Sequence, residues 1–128
     1  MTNKIANHKS YSFALRIIKL YQLLSKEKQE YVISKQILRS GTAIGALIRE
    51  AECAESKADF IHKLAISNKK ANETHYWIML LRDSNLIDTK LANSFLLDCE
   101  ELQKLLNSSI KTAKTNLKTI KKDNENQK

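Results

Sequence analysis

The chain has 128 residues, 42% of them hydrophobic, with two glycines, no proline and a formal net charge of +8. That length and apolar content suit one domain with a single core, and exclude a chain too polar to fold. No β-branched run alternates with polar residues between turn clusters, which excludes a β-rich fold, and the positive balance favours acidic partners such as nucleic acid.

Residues 1–9 read as a flexible N-terminal segment. They lack the apolar stretch of a signal peptide, and no apolar run in the chain approaches the roughly 20 residues of a membrane span. A cytoplasmic protein is expected. The first helix is predicted over 10–25, where Phe13, Ile17, Leu20, Tyr21 and Leu24 recur at spacings of three and four. "SKEKQE" then reads as a connection.

The second helix is predicted over 30–55, with Ile33, Ile37, Ile44, Ile48 and Ala51 on its apolar side. Both glycines of the chain, Gly41 and Gly45, fall inside it, in "RSGTAIGALIREA". A mid-helix glycine costs about 1 kcal/mol relative to alanine, so two of them need a reason. No Gly-Lys-Ser/Thr follows and no strand precedes, which excludes a phosphate loop and a dinucleotide fold. The small residues instead leave a thin stretch where another backbone can approach, at a helix–helix or subunit contact.

The third helix opens at "SKADF", where Ser56 and Asp59 have the spacing of a capping box, and runs to Asp83. "SNLID" ends it, with Asn85 as terminator and Asp88 as the next N-cap. The fourth helix is predicted from 89 to 120 or beyond. Leu91, Phe95, Cys99, Leu102, Leu106, Ile110, Ala113, Leu117 and Ile120 form its apolar stripe. Lys104, Lys111, Lys114, Lys118, Lys121 and Lys122 fall mostly off that stripe, against only Asp123 and Glu125 in the same stretch. Residues 122–128 read as a disordered polar tail. The expected fold is all-α, an antiparallel up-and-down four-helix bundle over 10–121.

Motifs for catalysis are missing. His8, His62 and His75 show neither HExxH nor ExxH spacing, and Cys53 and Cys99 form no CxxC. The expectation is no catalytic residue, no cofactor and no metal, hence no enzyme. Arg39, Glu50 and Glu73 fall near small or apolar helix faces. They read either as a partly buried ion network fixing the register of the second and third helices, or as side chains reaching solvent at the edge of a face.

The pieces "LRSGTAIGALIREA", "SKADFIHKLAIS", "ANETHYW" and "LLRDSNLI" closely resemble the bacterial four-helix-bundle proteins whose founding members are encoded within intervening sequences of large-subunit ribosomal RNA genes. The resemblance covers about 10–113. It implies an up-and-down bundle and a ring-like homopentamer, in a family for whose ribosomal-intervening members no enzymatic activity is established. It extends to the accessory protein of diversity-generating retroelements, a basic pentamer that binds nucleic acid and a reverse transcriptase. Arg39, Glu50 and Glu73 match the family pattern, while Leu47 stands where many relatives have asparagine. Two functions follow as expectations. One is an oligomeric nucleic-acid-binding protein, with RNA the favoured ligand, whose last-helix lysines contact phosphates without reading sequence. The other is a protein-interaction scaffold or adaptor for a partner enzyme such as a reverse transcriptase.

Overall fold

The computed structural model describes residues 4–126, and among these every regular element is helical. Helix α1 (Lys4–Gln22) runs into one π-helical turn (Leu23–Glu27). Helices α2 (Ile33–Glu52), α3 (Lys57–Asp83) and α4 (Thr89–Asn126) follow. Side-chain pairs fix their directions. Gly41 and Gly45 of α2 lie against Ile17 and Ser10 of α1. Ser40 and Ile44 of α2 meet Thr74 and Ser67 of α3. In both comparisons the numbering rises on one helix as it falls on the other, so each neighbour is antiparallel.

The chain ends each helix by local chemistry. Glu30 caps α2: its Oε2 accepts from the N–H groups of Val32 and Ile33 at 3.1 and 3.0 Å, and its Oε1 accepts from that of Ser34 at 2.7 Å. Three of the donors left without partners at the helix start are thereby satisfied. Burial pushes the Glu30 carboxyl up, but those N–H donors outweigh it and hold the pKa below its ordinary value. Ser56 accepts from the Asp59 N–H at 3.0 Å, and Asp59 reaches back to the N–H of Glu55. Asp88 accepts from Leu91 at 2.8 Å and starts α4. Asn85, at φ 63°, turns the chain out of α3. The Leu86 N–H then reaches Leu81 O and the Asn85 N–H reaches Arg82 O, the pairing of a Schellman end.

Several boundaries differ from the sequence expectation, among them those of α2, which spans 33–52 and not 30–55. Helix α1 starts at Lys4 and not near Ser10, because Ala6 is buried and Asn7 donates to Glu52 of α2. Only 1–3 of the expected flexible segment lie outside the described residues. At the other end α4 continues helical through Asn126, so the expected tail is helix over 122–126, and 127–128 lie outside the described residues. The connection after α1 also begins as the π-helical turn and closes at Gln29, at φ 53°.

Phe13, Ile17 and Leu24 of α1, Ile37, Ile44 and Ile48 of α2, Leu64, Ile78 and Leu81 of α3, and Leu102 and Leu106 of α4 are fully buried. The buried face of α3 also contains Ser67, Ala71 and Thr74. These small residues let α2 and α4 close in, and each polar one is satisfied. Ser67 Oγ donates to Ile44 O at 2.9 Å. Thr74 Oγ1 lies 2.8 Å from both Ser40 Oγ and Lys70 O. Packing is uneven: α3 is closely seated on α2 and α4, whereas α1 packs chiefly on α2 and only lightly on α4. The α1–α4 seam is held by Arg16, whose guanidinium sits 4.1 Å from the Phe95 ring centroid and donates to Asp98 at 2.5 Å and Ser94 at 3.1 Å. Phe95 meets Phe13 edge to face at 6.2 Å.

Candidate nucleic-acid interface

Four polar pairs set α3 against α4: Arg82–Asn93, His75–Glu100, Asn72–Gln103 and Asn68–Asn107. Going down α3 the steps are seven, three and four residues, and going up α4 they are the same. The register is therefore constant, with neither helix slipping. Continued for eleven more residues, it brings Lys57 at the start of α3 level with Lys118. Residues 119–126 thus run past the end of α3, by about 12 Å at 1.5 Å per residue.

All six sequence-predicted lysines of α4, Lys104, Lys111, Lys114, Lys118, Lys121 and Lys122, are exposed. At about 100° per residue, Lys104, Lys111, Lys118 and Lys122 fall on nearly one line, and Lys114 and Lys121 lie beside it within an arc of about 100°. Among the described residues none of the six forms an ion pair. The neighbouring side of the helix carries the apolar stripe, buried as far as Ala113, with Ile120 46% exposed beyond it. No aromatic residue follows Phe95 in the chain, so this surface offers charge and no stacking platform.

The other sequence-predicted residues are placed as follows. A Cβ built on Gly41 would lie 2.8 Å from Ile17 Cγ1, and one on Gly45 would lie 3.0 Å from Ser10 Oγ. The glycines therefore face α1, and α2 runs unbroken through them. Arg39, Glu50 and Glu73 are not brought together within the chain. Arg39 and Glu50 are exposed and join no ion pair among the described residues, while Glu73 pairs with Lys70 at 3.8 Å and accepts from Trp77 Nε1 at 3.1 Å. The reason is positional. Hydroxyl and small side chains fill the α2–α3 contact, leaving no space there for an ion network.

Among the described residues, no group of three His, Cys, Asp or Glu could hold a metal. Burial, aided by the charges of Glu100 and Asp98, pushes the Cys99 thiol up to about 12, and Cys99 donates to Ala71 O at 3.1 Å, so it is a packed thiol and not a nucleophile. No described helix is long and apolar enough to cross a membrane. Sequence reading missed the Glu30 cap and the Arg16 clasp. Both depend on where a long polar side chain folds back, which spacing does not encode.

The comparisons agree on ancestry. No curated protein matches the chain. A crystal structure described as a protein with unknown function from the S23 ribosomal protein family of Bacteroides thetaiotaomicron is similar at 52% identity and a TM-score of 0.85, covering 87% of this chain and 99% of the other. The family model of the 23S rRNA-intervening sequence protein matches residues 2–108. Of the six lysines only Lys104 lies inside that match. With the family model matched over most of its length and a structure of that fold at 52% identity, the chain belongs to the 23S rRNA-intervening sequence protein family.

Proposed function

We propose that this chain is a non-enzymatic, homo-oligomeric bundle protein that binds RNA or other nucleic acid through the lysine-bearing side of α4, without strong sequence selectivity. One observation carries the reading: six lysines lie exposed on one side of one helix, and among the described residues none pairs with an acid. Lysine is a flexible point charge that suits phosphate oxygens without fixing a base. Because five of the six lie beyond the region shared with the family, the reading rests on this chain's own helix. The homopentamer suggested by resemblance would multiply each contact by the number of subunits.

The test is binding of single-stranded and duplex RNA and DNA at two salt concentrations. Each neutralised phosphate contributes about 0.7 to 0.9 to the slope of log affinity against log salt. About six contacts would lower affinity by two orders of magnitude or more between 50 and 200 mM salt. No binding at low salt, or equal binding at both, would defeat the reading. The scaffold alternative is favoured by exposed apolar side chains, Leu97 at 67% among them. A partner enzyme that stays bound after nuclease treatment would support it.

A further inference from the structure

The lightly packed seam between α1 and α4 is open as two hollows. The first, about 280 Å³, is walled by Leu20, Leu23, Leu91 and Phe95, with Arg16 and Lys19 completing it. The second, about 560 Å³, shares Leu23 and Leu91 with the first and continues past Leu86 and Ile87 to the α3–α4 turn. Together they make one groove with an apolar floor. Part of its wall is the π-helical turn Leu23–Glu27, an irregularity that recurs at functional sites.

The two ends of the groove differ in charge. Arg16 closes one end, lying over Phe95 and already bonded to Asp98. Lys19 is exposed beside it and joins no ion pair among the described residues, so its positive charge is uncompensated. At the other end Glu27 and Asp88 stand against Lys28 alone. An anionic group is therefore drawn to the Lys19 end and turned away from the far one. Beyond Arg16 the next hollow is lined by Lys9, Asp98 and Glu101, whose charges are paired, so the apolar path stops there. Its length follows from α4: Phe95 to Asp88 spans about 10 Å at 1.5 Å per residue. An extended hydrocarbon advances about 1.2 Å per bond, a third of the roughly 3.6 Å that an extended residue spans over three bonds. The floor thus seats about 8 to 10 carbons.

We propose that the α1–α4 groove binds a medium-chain fatty acid, with its carboxylate at Lys19 beside Arg16 and its chain laid along Leu23 and Leu91 toward Ile87. One uncompensated positive charge suits a monoanion and not a phosphate dianion. A narrow apolar floor between two helices suits a single chain, whose burial drives binding while the charge sets its direction. The site uses residues 16–23 and 86–95, apart from the α4 lysines, so it stands or falls independently of nucleic-acid binding.

The experiment is calorimetric titration of the full chain with hexanoate, octanoate, decanoate and tetradecanoate, each below its micelle-forming concentration, beside decanol and decyltrimethylammonium. One molecule per chain is expected to bind. Affinity should rise about 3- to 4-fold with each added methylene as far as decanoate, then level off. Decanol and decyltrimethylammonium should bind about fivefold more weakly or less tightly still. Lys19→Glu and Leu91→Gln should each weaken decanoate about tenfold or more, with helix content checked by circular dichroism. The triple variant K111Q, K118Q and K122Q should bind decanoate as wild type does. No saturable binding, equal binding of decanol, or wild-type affinity in Lys19→Glu would overturn the proposal. So would loss of binding in the triple variant, which would put the carboxylate on the α4 lysines. Uptake of many molecules per chain, with no limit in chain length, would show detergent-like adsorption and overturn it too. If Leu91→Gln loses helix, Lys19→Glu, which alters an exposed side chain, decides alone.

Discussion

Gly41 lies so close to Ile17 that a single methyl group on its Cα would come within 2.8 Å of the isoleucine Cγ1. Ile17 is completely buried and cannot swing away. Forcing an extra carbon into such a contact costs about 1–3 kcal/mol, against about 1 kcal/mol regained from helix propensity. Gly41→Ala is therefore expected to lower stability by about 1 kcal/mol in urea unfolding. At Gly45 the neighbours are the Ser10 hydroxyl at 3.0 Å and the Ser10 Cβ at 3.3 Å, a looser contact than that at Gly41. Gly45→Ala is expected within about 0.5 kcal/mol of wild type or above it. If the two alanine variants are equally stable, the α1–α2 contact is not as tight as described.

Thr74 and Ser40 are both fully buried and meet at 2.8 Å. Thr74→Val leaves the Ser40 hydroxyl without its partner in the interior, at a cost of about 1–3 kcal/mol. Removing both hydroxyls, with Ser40→Ala added, is expected to recover most of that loss. A double-mutant cycle that finds strictly additive costs would show that the two groups do not act as a pair.

Glu30 gives the fold a pH-dependent part. Its folded pKa lies below its ordinary 4.5, so the unfolded chain takes up its proton first as pH falls. The stabilisation is present above about pH 4.5 and is lost as pH drops through the folded value. Glu30→Gln is expected to melt at lower temperature than wild type near pH 7, by the equivalent of about 1 kcal/mol for a weakened cap. The gap should narrow below pH 4.5. A gap that is constant from pH 7 to pH 3 would remove the charge from the explanation.

Replacing Lys111, Lys118 and Lys122 together with glutamine removes three charges from one line of α4 without touching the core. The salt slope of RNA binding is expected to fall by about 2 to 3, equally for unrelated sequences. An unchanged slope would move the interface off α4.

Much of this fold was legible because its signals are local. The stripes at three and four residues, the Ser56 and Asp88 caps and the Asn85 terminator depend on neighbours within a turn or so. The same signals placed the glycines in a helix and the lysines on an exposed side. What stayed hidden is set across helices. The Arg39, Glu50 and Glu73 grouping rested on nearness to small faces. The structure fills the α2–α3 contact with Ser40, Ile44, Ser67 and Thr74 instead. Leu97 interrupts no pattern in sequence and becomes notable only once α4 is seated. The start of α1 at Lys4 depends on an Asn7–Glu52 bond between residues 45 apart.

The stretch of α4 past α3 has a thermodynamic consequence. Residues 119–126 have no wall to lean on, so their helix is held by hydrogen bonds within the helix alone, which for so short a length are near balance with the coil. Lys118, Lys121 and Lys122 stand at i, i+3 and i+4, where like charges tilt that balance toward unwinding. A phosphate chain laid along them would cancel the repulsion and wind the segment, so that the ligand's binding energy and the segment's helicity are linked quantities. Helix content should then rise as nucleic acid is added, and should respond to salt in the free protein in the same direction.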